Sequence, residues 1–164
     1  MNAKAKIRSA GEIALLCDSI REEPGIRIVF TNGCFDLMHV GHVRYLEEAR
    51  GLGDWLIVGV NTDASVRGFK GPLRPIVEEH DRFEVLAALE CVDYVVPFDT
   101  PDPLPLIRVV RPHVLVKGAD WQEDQIVGAD VVRAAGGVVV RIPLTPGKST
   151  TTLIDRIVSR FKAT

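Results

Sequence analysis

Cysteine is scarce in this chain and scattered: Cys17, Cys34 and Cys91 are the only three. An odd, widely spaced set builds neither a disulfide framework nor a zinc site, and a reducing cytoplasm suits it. A surplus of one charge is also missing. The formal net charge of -2 leaves no basic surface for general nucleic-acid binding and points to a small-molecule partner. No apolar run approaches the roughly 20 residues of a membrane span. The opening "MNAKAKIRSAGEIALLCDSI" is basic, but Asp18 interrupts its apolar run and no small-residue cleavage site follows, so no targeting segment is expected. Low-complexity tracts, repeats and linkers are absent, and 46% hydrophobic residues exclude disorder. The expectation is one cytoplasmic domain over 1–164, with a leading helical segment of about 1–25 and a core of about 26–161.

What is present is alternation. Short Val- and Ile-rich runs at Ile26 to Phe30, Trp55 to Val60, Tyr94 to Pro97, Val114 to Lys117 and Val138 to Ile142 read as strands apolar on both faces. Helical periods lie between and after them, at about 41–52, 79–90, 103–110, 124–135 and 150–161. A further helix at 9–22 has Ser9 as cap and Glu12 three residues on. Strand and helix in turn predict right-handed crossovers, hence an α/β Rossmann-like doubly wound parallel sheet of five strands with helices on both faces. "NTDASVRGFKGPLRPIVEEH", with Gly68, Gly71, Pro72 and Pro75, reads as a long loop at the carboxyl edge of the sheet, where such folds bind ligands.

"VFTNGCFDLMHVGHVRYLEEA", residues 29–49, carries the clearest chemical signal. The first strand ends in a turn, and His39-Val40-Gly41-His42 opens the helix that follows. A helix start offers unpaired amides and the positive end of a dipole, two imidazoles add donors, and Gly41 leaves room for phosphate to approach the backbone. Two histidines three apart, with no third ligand nearby, make a poor zinc pattern. The plain alternative is a turn residue and a helix-terminal residue without chemistry. "TPGKSTTT" mimics the tail of a P-loop, but Ile142 stands where that motif needs its first glycine.

"VFTNGCFDLMHVGH", "LIVGVNTDASVRGFKGPLRPI", "RFEVLAALECVDYVVPF", "VLVKGADW" and "STT" occur in that order over about residues 26–158. Together they resemble the cytidylyltransferase-like nucleotidyltransferases, and more closely the D-glycero-β-D-manno-heptose 1-phosphate adenylyltransferases. The 164 residues leave no room for the sugar kinase often fused ahead of this domain, so the stand-alone form is expected. The resemblance implies that ATP and a heptose 1-phosphate give ADP-heptose and pyrophosphate, a step towards the lipopolysaccharide inner core. It implies Mg²⁺ arriving with ATP, and a homodimer; no carboxylate cluster marks a metal held by the protein itself.

The same resemblance distributes roles. His42, His39 and Lys70 are the catalytic candidates, with His42 stabilising the transition state. Nucleotide binding falls to Asn32, Gly33, Cys34, Phe35 and Gly41 in the first turn, to Lys117, Gly118 and Asp120, and to Ser149, Thr150 and Thr151 at the last helix start. Sugar-phosphate binding falls to Asp36, Asp63, Arg74 and Arg82. Each also fits a plainer role: a cap or turn for the aspartates, a surface cation or structural ion pair for the basic residues. Cys34, Trp55 and Trp121 read as packing or turn residues, while His80 and His113 are assigned no role. The superfamily's basic residue after its Ser-Thr run is Ile154 here, and Lys148 stands where an isoleucine leads that run. Two alternatives stay open: a glycerol 3-phosphate or ethanolamine phosphate cytidylyltransferase, which would differ around "VKGAD", and a nucleotide-binding sensor without turnover.

Overall fold

A computed structural model describes residues 2–162. Five parallel strands form one sheet: β1 (Ile28–Gly33), β2 (Trp55–Asn61), β3 (Tyr94–Phe98), β4 (Val114–Gly118) and β5 (Val138–Ile142), in the order β3-β2-β1-β4-β5. Seven α-helices accompany them among the described residues: α1 (Ala10–Arg21), α2 (Val40–Arg50), α3 (Asp63–Lys70), α4 (Glu79–Ala88), α5 (Leu104–Val110), α6 (Ala129–Ala134) and α7 (Thr150–Phe161). The alternation of side chains along β1 sorts them between two cores. Ile28 and Phe30 pack with Ile13 of α1, Ile107 of α5 and Val132 of α6, whereas Val29 packs with Leu46 of α2 and Leu86 of α4. Each such buried Ile, Leu or Phe contributes about 1.5–3 kcal/mol relative to an exposed one, so both faces need their helices. The doubly wound sheet predicted from the alternation is present.

The leading helix has the predicted cap. Ser9 Oγ accepts from the Glu12 amide, and the Glu12 carboxylate accepts from the Ser9 amide at 2.8 Å. Other boundaries differ. The first strand starts two residues later than the apolar run predicts and continues through Gly33, because Asn32 and Gly33 pair with Gly59 and Val60 of β2. The segment at 124–135 divides into a 3₁₀ turn (Glu123–Gln125) and α6, separated by Gly128 in left-handed conformation at φ 84°.

Two larger differences bear on function. The stretch at 61–80 is not a continuous loop. Thr62 caps a helix by accepting from the Ser65 amide, and buried Ser65 and Val66 hold it to the body. Gly68 lies inside that helix at a cost of about 0.8–1.0 kcal/mol against alanine, which packing and the cap offset. Only about 71–78 remains irregular. The last elements are also less covered than the pattern implies. β5 is an edge strand with Val138 exposed, and α7 has no fully buried residue although Leu153, Ile154, Ile157 and Val158 form an apolar side. No helix among the described residues is long and apolar enough to cross a membrane.

Candidate active site

The chain winds from β1 outward through β2 and β3, then returns to β4 on the other side of β1. That reversal lies between β1 and β4, whose carboxyl ends part into a crevice. A cavity of about 670 Å³ opens there. Asn32, Gly33, Cys34, Phe35 and Asp36 line it from the end of β1, and His39, Gly41 and His42 from the start of α2. Lys70 and Arg74 reach it from the third helix and the loop beyond, Lys117, Gly118 and Asp120 from β4, and Ser149, Thr150 and Thr151 from the start of α7. Motifs up to 119 residues apart, from Asn32 to Thr151, thus meet in one place.

The two imidazoles are stacked, with ring centroids 3.8 Å apart and planes 16° from parallel. His42 Nδ1 accepts a 3.3 Å hydrogen bond from the His39 backbone amide. In the neutral ring that places the proton on Nε2 and makes it a donor. Neutrality follows from surroundings: burial first, then His39 and Lys70, pull the His42 pKa from 6.5 to about 4. Burial, with Lys148 adding to it, also lowers His39, whose buried Nδ1 has no hydrogen-bond partner among the described residues. Gly41 is needed for a reason the motif alone does not give. A Cβ there would meet the His39 ring at 3.0 Å and Lys148 Cβ at 3.2 Å, so protein atoms occupy the room left by its missing side chain.

The four residues assigned to sugar phosphate separate into two pairs. Asp36 lies in the cleft but is only 3% exposed, and it accepts from Arg74 Nε at 2.6 Å and from the amides of Ile76 and Val77 at 2.8 and 2.9 Å. Burial raises its pKa, yet the Val77 amide, Arg74 and the Ile76 amide outweigh that and hold the carboxyl below its usual value. Its oxygens are engaged in fixing the loop that carries Arg74. Arg74 Nη2 is buried without a partner among the described residues, so part of its fork is uncommitted.

Asp63 and Arg82 do not line the cleft, contrary to the placement their motif implies. The Arg82 side chain is fully buried. It donates to the carbonyls of Val77 at 3.0 Å, Cys34 at 2.5 Å and Asn61 at 2.8 Å, and to the Asp63 carboxylate at 2.8 Å. This guanidinium ties the β1–α2 turn to the end of β2 and to the loop before α4. With four donated bonds directed into the protein, it holds these segments in place, and it does not line the cleft.

On the β4 side, Lys117 is buried and donates to Asn32 Oδ1, joining the ends of β4 and β1. Burial outweighs Asp120 and Cys34 and brings its pKa down to about 8. A Cβ on Gly118 would crowd the Asp120 carboxylate and the Leu144 side chain, so a larger residue there would have to displace both. Ser149 spends its hydroxyl capping α7, accepting from the Thr152 amide at 3.0 Å, while Thr150 Oγ1 donates to Leu37 O at 3.5 Å and ties α7 to the first turn. Burial raises the Cys34 thiol pKa, which keeps it protonated. Sequence reasoning misses Trp121 and Lys148. The Trp121 ring lies 5.7 Å from Lys117 Nζ and lines the cleft, as do Ile126, Val127 and Leu144, which gives the β4 side of the cleft an apolar lining. Its neighbour Gly118 at a strand end was the available signal.

Residues 30–155 match the family described as cytidylyltransferase-like. The chain belongs to that family. It is 52% identical over 143 residues to the bifunctional protein HldE of Syntrophotalea carbinolica, covering 87% of this chain and 29% of the relative. It is 57% identical over 133 residues to HldE of Magnetococcus marinus, covering 81% and 27%. The chain therefore spans under a third of the length of these curated relatives. Among solved structures it is similar to the lipopolysaccharide core biosynthesis protein of Thermoplasma volcanium, with a TM-score of 0.61 and 29% identity over 74% of this chain and 98% of that one. The pantoate-beta-alanine ligase of Francisella tularensis, solved with beta-gamma ATP and beta-alanine, shares the fold alone, with a TM-score of 0.62, 14% identity, and coverage of 96% and 79%.

Proposed function

We propose that this chain transfers AMP from ATP to D-glycero-β-D-manno-heptose 1-phosphate, giving ADP-heptose and pyrophosphate. The observation carrying the proposal is the convergence of the His39–His42 stack, Lys70, Arg74 and the start of α7 on one crevice with an apolar lining on its β4 side. The ordered motifs, the HldE relatives and the lipopolysaccharide core biosynthesis neighbour support the heptose assignment.

In this reading an oxygen of the sugar phosphate attacks the α-phosphorus and a P–O bond forms. The bond to the β-phosphate breaks on the far side, and its electrons leave with pyrophosphate. The nucleophile is already an anion, so no general base is needed and catalysis rests on alignment and charge stabilisation. His42 donates from Nε2 to a phosphate oxygen, most strongly when the phosphorus is five-coordinate, and His39 assists from the helix start. Lys70, at the end of α3, supplies a point charge, and the free part of the Arg74 fork serves the sugar phosphate. Asn32, Gly33, Cys34, Phe35, Gly41, Lys117, Gly118, Asp120, Ser149, Thr150 and Thr151 form the nucleotide side, and Trp121 offers a face for the base. Asp36, Asp63 and Arg82 hold the walls in register. In this reading Mg²⁺ arrives bound to ATP; among the described residues no three His, Cys, Asp or Glu side chains gather into a metal-holding group.

We place this reaction in the cytoplasm, by one nucleotidyltransferase unit over 1–164. A homodimer belongs to this reading as well, as the family resemblance implies. The nucleotide is tested by measuring pyrophosphate release at equal ATP and CTP, with heptose 1-phosphate, glycerol 3-phosphate and ethanolamine phosphate as acceptors. Fastest release is expected from ATP with the heptose. Faster turnover with CTP would overturn the adenylyl assignment, and release with none would favour a sensor.

A further inference from the structure

Two lysines approach the stacked imidazoles from different elements. Lys70 is the last residue of α3, which follows β2, and Lys148 lies just ahead of the Ser149 cap of α7, which follows β5. Both line the cleft. Lys70 acts electrostatically on His42, and Lys148 on His39. The Lys148 stem is seated against the helix start, its Cβ 3.2 Å from the position a Cβ on Gly41 would take.

The other two basic side chains in the cleft are each tied at one atom, although Arg74 keeps Nη2 free among the described residues. Arg74 is paired with Asp36, and Lys117 is buried and bound to Asn32. Lys70 and Lys148 are both exposed and in no ion pair among the described residues. An in-line displacement has negative charge on opposite sides of the phosphorus, on the entering sugar phosphate and on the leaving pyrophosphate. Lys70 shares its wall with Arg74. Lys148 shares its wall with the amino end of α7, whose first amides and dipole also favour anionic oxygen.

We propose that Lys148 is a further catalytic residue, one that holds the departing pyrophosphate at the junction of the α2 and α7 amino ends. The assignment rests on the adenylyl-transfer reading. As the bond between the α-phosphorus and the bridging oxygen breaks, the electron pair stays on pyrophosphate. Lys148 Nζ donates a hydrogen bond to an oxygen of that group and offsets the charge it gains; no proton is transferred. Lys70 serves the α-phosphate and the incoming acceptor.

The test is calorimetric binding of pyrophosphate and of AMP, each with Mg²⁺, to the wild-type protein and to Lys148→Ala and Lys148→Arg, with turnover measured alongside. Loss of a charge-assisted hydrogen bond is expected to weaken pyrophosphate binding about tenfold to a hundredfold in Lys148→Ala. AMP, which lacks the leaving group, should bind within about twofold of wild type, and Lys148→Arg should recover most of the pyrophosphate affinity. Turnover of Lys148→Ala should fall with its pyrophosphate affinity. Wild-type pyrophosphate affinity in Lys148→Ala, or an equal loss for AMP, overturns the role of Lys148 while leaving adenylyl transfer standing. A wild-type protein that binds neither AMP nor pyrophosphate and shows no turnover would remove both. Because Lys148 is exposed, the variants are expected to fold, and their melting curves check that directly.

Discussion

His42→Ala is expected to lower kcat about a hundredfold to a thousandfold while changing the KM for ATP much less. The expected asymmetry comes from the geometry. The His39 amide fixes the ring by donating to Nδ1, which leaves Nε2–H as a preset donor. Such a donor contributes most when charge and geometry change at phosphorus, and little to ground-state binding. His39→Ala should act similarly, with a larger loss of ATP affinity. Circular dichroism separates an unfolded variant from an inactive one. A folded His42→Ala protein keeping more than about half its turnover would remove the residue from the mechanism. A proton titration by NMR gives a second readout on the same residue. In the free protein His42 should titrate near 4, well below 6.5, and bound polyphosphate should move it upward. Since the folded value is the lower one, the neutral ring's contribution to stability is present above 6.5 and is lost as pH falls towards 4.

Arg82→Ala is expected to be the most destabilising substitution near the site although Arg82 does not line the cleft. Removing it leaves the Asp63 carboxylate and three backbone carbonyls without a common donor in a buried place. Breaking a buried pair in this way costs about 3–5 kcal/mol. At roughly 2–4 °C per kcal/mol for a chain of this size, Tm should fall by about 6–20 °C. Arg82→Lys should recover little, because an ammonium cannot span the four acceptors that the planar fork reaches. Differential scanning calorimetry decides it. A variant melting like wild type, with only a raised acceptor KM, would return Arg82 to substrate binding.

That contrast marks where sequence reading stops. The sheet and its binding edge follow from apolar runs alternating with helical periods, because burial on both faces leaves a pattern in the chain. The cleft position of His39, His42 and Lys117 follows from their places at a helix start and a strand end, and that of Lys70 from the segment that follows the second strand at the carboxyl edge. The partners of Arg82 do not. Cys34, Asn61, Asp63 and Val77 come together only in the folded chain, and no spacing records that a guanidinium points inward. The α3 helix is hidden for another reason: Gly68 and the Gly-Pro step after Lys70 carry a loop's chemistry, while a single cap at Thr62 and the burial of Val66 decide the outcome. Lys148 and Trp121 are inconspicuous in the sequence because their significance is their arrival opposite Gly41 and Lys117.

Adenylyl transfer itself is tested most directly by phosphorus NMR of the protein with Mg²⁺, ATP and D-glycero-β-D-manno-heptose 1-phosphate. A pair of coupled sugar-diphosphate resonances is expected to grow in step with pyrophosphate while ATP and the sugar phosphate decline together. Growth of ADP and orthophosphate instead, or ATP unchanged in the presence of folded protein and acceptor, would contradict it.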